Sequence, residues 1–522
     1  MFETAELRQR ISRAAFDEIA EPLRDELLAL QTQLRAADFP VLLLFAGVDG
    51  AGKSETVNLL NEWLDPRWIV THAYEDPSRE ERERPEFWRY WRDLPAKGQI
   101  GLYLSGWYSR AILDRVYRES DQAQFDAKLD QIRTFERTLA DDGALILKFW
   151  MHLGRADQKR RLKSLEDDPK QSWRVGKSDW RNWKRYDKFI AAAEQAIRRT
   201  DDGRSRWTLV EGMDPRFRSL LVLTSLRDAL VRHLAEATTR REAAKLLQAE
   251  IAKVRAGELR AVHRRRGALE KAAGRDDEVK LATQTILSGL DLSLAIDDAD
   301  YQRKWRDARD ELGLAAHRAR TNGLTTVLLF EGWDASGKGG AIRHITASVD
   351  ARNWQVVPIG APNDEERAHH YLWRFWRRLP RDGRMLIFDR SWYGRVLVER
   401  VESFANPAEW QRAYSEINDF EEQMTRHGIL VMKFWLHISQ DEQYRRFKQR
   451  EAVAYKQWKL TDEDWRNRAK WADYQTAVHD MVEKTSTQTA PWTLIEGNDK
   501  NFARLKILAT VTEQLRQRLA RP

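Results

Sequence analysis

The chain has 522 residues, 42% of them hydrophobic, no cysteine, and a formal net charge of +8 from 89 basic and 81 acidic side chains. That length suits two domains with ordinary buried cores, and the lack of cysteine excludes disulfides, thiolate metal sites and a cysteine nucleophile, as fits a reducing cytoplasm. No apolar run reaches membrane-spanning length, and Met1-Phe2-Glu3-Thr4-Ala5-Glu6 lacks a basic start before an apolar stretch, so a cytoplasmic chain with no leader and no membrane contact is expected.

In chain order, the first strand-like run is Val41-Leu42-Leu43-Leu44-Phe45, and it leads into Gly47-Val48-Asp49-Gly50-Ala51-Gly52-Lys53-Ser54. A glycine-rich turn between a strand and a helix aims backbone N–H groups at a phosphate, and the lysine reaches its outer oxygens. Beyond it the chain alternates apolar strand-like runs with helix-like stretches, the pattern of a parallel sheet covered by helices. Residues 222–290 form a charged, proline-free connector that reads as helical. Its His263-Arg264-Arg265-Arg266 run reads as a solvated helix face rather than an anion site.

The pattern then starts again. Thr326-Val327-Leu328-Leu329-Phe330 leads into Gly332-Trp333-Asp334-Ala335-Ser336-Gly337-Lys338, and Lys338 stands 285 positions after Lys53 (338 − 53 = 285). The same step pairs Trp88 with Trp373, Trp107 with Trp392, Trp150 with Trp435, Trp180 with Trp465 and Trp207 with Trp492. The chain is a tandem duplication of an α/β domain. Strands are expected in the second copy at Val327–Phe330, Trp354–Pro358, Met385–Phe388, Ile429–Phe434 and Trp492–Ile495, with a helix over Pro407–Arg426. The expected domains are 1–221, the connector 222–290, and 291–522.

The first loop carries the usual Lys53-Ser54, whereas Lys338 is followed by Gly339-Gly340. A motif match alone therefore selects the first copy. The acidic residues select the second. Magnesium takes hard oxygen ligands, usually one or two carboxylates plus water and phosphate oxygens. The run Met385-Leu386-Ile387-Phe388 ends in Asp389-Arg390-Ser391, and a carboxylate at the carboxyl end of a parallel strand faces the usual ligand crevice. Asp389 is thus a metal-ligand candidate, with Asp334 as the second acidic group; the first-copy counterparts of Asp389-Arg390-Ser391 are Leu104-Ser105-Gly106, while both loops carry an Asp two residues after their first Gly. Basic positions are lost in the same direction: Arg343 becomes Asn58, Arg450 becomes Leu165, Lys456 becomes Gln171 and Lys500 becomes Pro215. Repeated features read as architecture instead. They include most tryptophans, His437 with His152, and Arg374 and Arg377 with Arg89 and Arg92. Glu366 and Arg367, repeated as Glu81 and Arg82, stand where a second substrate could dock.

Taken together, Gly332 to Gly340, Asp389-Arg390-Ser391-Trp392-Tyr393, Lys433-Phe434-Trp435-Leu436-His437 and Ala490-Pro491-Trp492 resemble the polyphosphate kinase 2 family, and the tandem layout resembles its fused two-domain class. The resemblance implies a P-loop kinase fold with a helical lid and a magnesium-dependent (or manganese-dependent) transfer of the terminal phosphoryl group of inorganic polyphosphate to AMP, giving ADP. It implies Asp334 and Asp389 as the acidic metal pair, and Lys338 and Arg390 as catalytic phosphate binders. Gly332, Gly337, Gly339, Gly340, Arg343 and Lys500 complete the expected phosphate site. The lid is expected near Arg445–Trp465, with Arg446, Arg450, Lys456 and Lys459 facing polyanion or nucleotide. No nucleic-acid partner is expected, and a homo-oligomer, as a dimer, is. The competing readings are an ATP-dependent nucleoside monophosphate kinase and a non-catalytic polyphosphate or nucleic-acid binder. The first copy is expected to be catalytically inactive.

Overall fold

Strand β6 (Thr326–Gly332) begins the second copy as a run of side chains buried on both faces, Val327, Leu328, Leu329 and Phe330 all being 0% exposed. Such a run fits only a central strand of a parallel sheet covered on both sides. The computed structural model describes residues 1–272, 286–453 and 462–520. In it β6 lies between β8 (Met385–Asp389) and β9 (Leu430–His437), with β7 (Trp354–Pro358) beyond β8 and β10 (Trp492–Glu496) beyond β9. Every pairing is parallel. Strands β1 (Val41–Gly47), β2 (Ile69–Ala73), β3 (Ile100–Leu104), β4 (Leu145–His152) and β5 (Trp207–Glu211) repeat that order in the first copy. Register repeats too: Phe45 pairs with Leu104 and Phe330 with Asp389.

The α/β duplication is therefore borne out. All five strands expected in the second copy are present; β9 runs on to His437 because Trp435 and Leu436 continue its burial. The helix Pro407–Arg426 has the expected limits. Asn406 and Glu409 cap each other's backbone at its start, with proline in the first turn where no N–H partner is needed. The helix Lys500–Ala520 buries Ala503, Ile507, Leu508, Val511 and Leu515, a stripe at helical spacing. These residues share a core cluster with Leu328, Phe330, Ile387, Phe434 and Leu436 of the sheet.

Each sheet also carries a buried ion pair. Lys433 Nζ donates to Glu421 Oε2 at 2.7 Å, and Trp392 Nε1 and Tyr393 Oη donate to Glu421 Oε1. Lys148, Glu136, Trp107 and Tyr108 repeat the set in the first copy. A fully bonded buried pair kept in both copies belongs to the fold.

The chain forms two compact units. Among the described residues the first holds 1–76, 93–272 and 368–370, and the second holds 77–92, 286–367 and 371–520. The segment Pro77–Arg92 is thus part of the second unit, where Trp91 stacks on Trp376 at 5.7 Å and Arg84 Nε donates to the Leu379 carbonyl at 2.9 Å. One helix covers Pro215–Ala272 and a 3-10 helix covers Ile286–Gly289, so the described part of the connector is helical up to Gly289. Among the described residues no helix is long and apolar enough to cross a membrane.

Candidate active site

The second unit's phosphate loop leaves β6 at Gly332. Its φ of 151° lies in glycine territory, and a Cβ there would stand 2.5 Å from the Leu436 carbonyl oxygen. The loop ends at Gly337 (φ 114°), the N-cap of the helix Lys338–Ser348. Between them the carbonyls of five consecutive residues accept side-chain hydrogen bonds. Lys338 Nζ takes Gly332 and Trp333 at 2.6 and 3.1 Å, Gln443 Nε2 takes Asp334 at 3.1 Å, and Arg446 Nη1 takes Ala335 and Ser336 at 2.9 Å each. With its acceptors occupied this way, the loop offers its N–H groups and the helix N-terminus to an anion. Trp333 braces the loop from behind, stacked on Trp471 at 3.6 Å and donating from Nε1 to His437 Nδ1 at 2.9 Å. Burial holds His437 down at about 4, so the ring is neutral and can accept that bond. Its role is hydrogen bonding and packing.

Parallel register brings the turn after β8 to the same edge. Asp389 is the last residue of β8, and Arg390, with φ 64°, turns the chain while its backbone N–H donates to the Phe330 carbonyl at 3.1 Å. A non-glycine residue in that region costs about 1–3 kcal/mol and collects at functional sites. Arg390 Nη2 reaches Asp334 Oδ1 at 3.4 Å, and Asn467 Nδ2 donates to Asp334 Oδ2 at 2.9 Å. The Asp389 carboxylate makes no hydrogen bond or ion pair within the described residues. Burial holds the Lys338 ammonium below its ordinary pKa, against the pull of Asp334.

Asp334, Gly337, Lys338, Gly339, Gly340, Asp389 and Arg390 line one cavity of about 760 Å³. Arg343, Arg450, Lys500 and Arg504 add a basic wall. Gly332 sits at the foot of the loop. Arg446 lines the cavity but does not simply face a polyanion: it is 3% exposed, and its guanidinium also binds the carbonyls of Gly497 and Asn498 at 2.6 and 2.9 Å. It staples the loop. Glu366 and Arg367 are not among the cavity's lining residues. Glu366 caps Asn363 and meets Arg374 at 3.3 Å, and Arg367 bonds its own turn at Pro362. Lys456 and Lys459 lie outside the described residues.

Two carboxylates facing one cavity, one of them without a partner, fit a hard divalent cation completed by water and phosphate oxygens. Among the described residues no three acidic, histidine or cysteine groups converge as a protein-only cage, which is the arrangement such a cation needs least.

The first unit keeps the loop and changes what faces it. Lys53 Nζ binds the Gly47 and Val48 carbonyls at 2.7 and 3.0 Å, Gln158 takes that of Asp49 at 3.1 Å, and Asn182 holds the Asp49 carboxylate at 3.0 Å. Where the second unit has Gly340, the first has Glu55, whose carboxylate meets Arg161 and Arg174 at 2.8 Å and Arg218 at 3.0 Å. An internal anion takes up the local positive charge. Leu104 replaces Asp389, Ser219 replaces Arg504, and Leu165, 4% exposed, replaces Arg450. Gln443, Asn467, Trp471, Glu331, Arg504 and Glu55 were not singled out from the sequence. The 285-residue step marks the last three, which change to Ala46, Ser219 and Gly340 respectively, whereas Gln443 and Asn467 recur as Gln158 and Asn182 and give no such signal.

The family model for Polyphosphate kinase 2 (PPK2) matches residues 10–238 and again 295–521. The chain belongs to the polyphosphate kinase 2 family. Both P-loop units are members of it, so the family fold alone does not distinguish the one with the complete cavity. Over its full length the chain is similar to proteins named polyphosphate:AMP phosphotransferase. It is 45% identical to that of Pseudomonas aeruginosa over 99% of this chain and 98% of the relative, and 44% identical to that of Pseudomonas syringae pv. tomato over 100% and 99%. A crystal structure assigned to polyphosphate kinase 2 from Pseudomonas aeruginosa superposes with a TM-score of 0.85 at 41% identity, covering 100% of both chains.

Proposed function

We propose that the protein is a polyphosphate:AMP phosphotransferase working in its second unit, with the first unit catalytically silent and magnesium (or manganese) as the metal. The observation that carries this is Asp389: an unpartnered carboxylate at the end of β8, beside a phosphate loop and a basic wall, replaced by leucine in the otherwise matching first unit. A protein that merely held polyanion would gain nothing from that charge.

In the transfer, an oxygen of the AMP phosphate bonds to the terminal phosphorus of polyphosphate, and the bond from that phosphorus to the rest of the chain breaks. The shortened chain leaves with the negative charge. An ionised phosphate needs no proton removed, so the protein's task is alignment and charge stabilisation. The loop N–H groups and Lys338 hold the transferred group; to do so Lys338 exchanges the Gly332 and Trp333 carbonyls for phosphate oxygens. Arg390 reaches the same group from the β8 side. Arg343, Lys500 and Arg504 line the path of the remaining chain. Asp334 and Asp389 would hold the metal, which when bound neutralises phosphate charge as a Lewis acid. Asn467 keeps Asp334 oriented.

The deciding experiment incubates the protein with AMP and magnesium, with polyphosphate in one arm and ATP in the other. ADP forming at the expense of polyphosphate is expected. ADP formation with ATP as the only effective donor would sink the proposal.

A further inference from the structure

Glu331 is the next-to-last residue of β6 and is 5% exposed, at the end of a strand whose other side chains are apolar apart from Thr326. Its Oε1 accepts the Ser391 hydroxyl at 2.8 Å. Ser391 is itself buried, and its oxygen accepts the Tyr393 N–H at 3.3 Å, which leaves the hydroxyl proton for Glu331. With the Arg390 N–H to Phe330 carbonyl bond at 3.1 Å, the turn Asp389-Arg390-Ser391 is tied to β6 at two successive residues. Burial raises the Glu331 pKa, opposed by Lys338, the Ser391 hydroxyl and Arg390, while Lys338 and Arg390 repel each other.

The first unit separates two explanations for this pair. Its equivalent turn keeps the left-handed backbone, with Ser105 at φ 52° against 64° for Arg390, yet Glu331 and Ser391 are replaced by Ala46 and Gly106. The turn therefore forms without the pair. What disappears along with it is the pair of side chains that the turn presents, Asp389 and Arg390. A carboxylate is costly to bury, and here the turn's backbone does not require it.

The geometry points to Glu331 as a positioning residue of phosphoryl transfer: through Ser391 it fixes the direction of Asp389 and Arg390, and as a counter-charge it lets Lys338 and Arg390 point into one cavity. This rests on the proposed location of the reaction in the second unit. A misaligned group costs rate more than binding, because alignment acts on the transition state.

The test compares Glu331→Gln, which keeps an oxygen to accept from Ser391 but removes the charge, with Ser391→Ala, the double variant and Ser391→Thr. ADP formation is followed while polyphosphate and AMP are each varied, and melting is recorded for every protein. The expected result is kcat lower by about 10- to 100-fold in both single variants, with KM for polyphosphate and melting nearly unchanged. The double variant should be no worse than the poorer single one, and Ser391→Thr should recover most of the rate. Multiplying losses in the double variant, losses confined to KM, or losses that follow a fall in melting temperature would each overturn the inference. Asp389→Asn run alongside separates the two levels: if it stays active the site itself is misplaced, and if it is dead while Glu331→Gln is fully active, only the role of Glu331 fails.

Discussion

The phosphate loops after β1 and β6 share their φ pattern, their inward-folded lysine and their glutamine and asparagine braces, and they differ in the charge set before them. Before the second lie a partnerless carboxylate and a basic wall; before the first lies Glu55, ringed by Arg161, Arg174 and Arg218. In the first unit three guanidiniums are thus already paired with a carboxylate of the protein's own. The lesson concerns what a loop motif measures. Gly47 to Ser54 is the better match to the usual pattern, but the motif records backbone shape, and two loops of one shape here face different charges.

What the units share should break alike. Glu421→Ala and Glu136→Ala each strand a buried lysine, so both should lower unfolding free energy by about 3–5 kcal/mol, read by denaturant melts. Unequal costs would mean that the two cores are not equivalent. Where they differ, the effects should be one-sided. Asp389→Asn should lower kcat by about 10²–10³-fold, while Lys53→Ala should leave turnover within about twofold. Comparable damage with folding intact in both would reverse the assignment of the units. Replacing Arg343 and Arg504 together by alanine should raise KM for polyphosphate by about tenfold with a smaller effect on kcat, and the defect should shrink as salt rises. An unchanged KM at low salt would remove the basic wall from the donor's path.

The smallest effect belongs to Glu55. Burial raises its pKa, but Arg218, Arg174 and Arg161 outweigh burial and hold it below the ordinary glutamate range. A depressed carboxylate stabilises the fold at pH above its unfolded value and loses that contribution as pH falls through the folded one. Glu55→Gln should therefore cost about 1 kcal/mol near neutrality, discounted for partial exposure, and the gap to the parent protein should close in acid. A gap that persists below the folded pKa would show that the network is not electrostatic.

The fold was legible because its signals are local. Five strands were marked by short apolar runs, and the ends of Pro407–Arg426 by Asn406, Pro407 and Glu409. Asp389 was legible because it ends such a run. Arg446 was not: a basic residue on a charged helix looks the same whether it meets ligand or carbonyl oxygen, and only the loop's tertiary fold brings the carbonyls of Ala335, Ser336, Gly497 and Asn498 around it. Glu331 was hidden by its neighbours, because one acidic residue at the end of Val327–Phe330 reads as the strand's exit rather than as a buried group. Glu366 and Arg367 recur in both copies, and recurrence alone does not tell a helix cap from a docking site.

The placement of Pro77–Arg92 within the second unit has a consequence for how this chain can be divided. A cut in the connector, where the duplication invites one, would give a second half without the indole of Trp91, uncovering Trp376, which is 1% exposed in the whole protein. It would also lose the Arg84 bond to Leu379. The second half-gene is thus shorter than the folded body it mainly encodes, and a second unit made alone would need Pro77–Arg92 supplied with it.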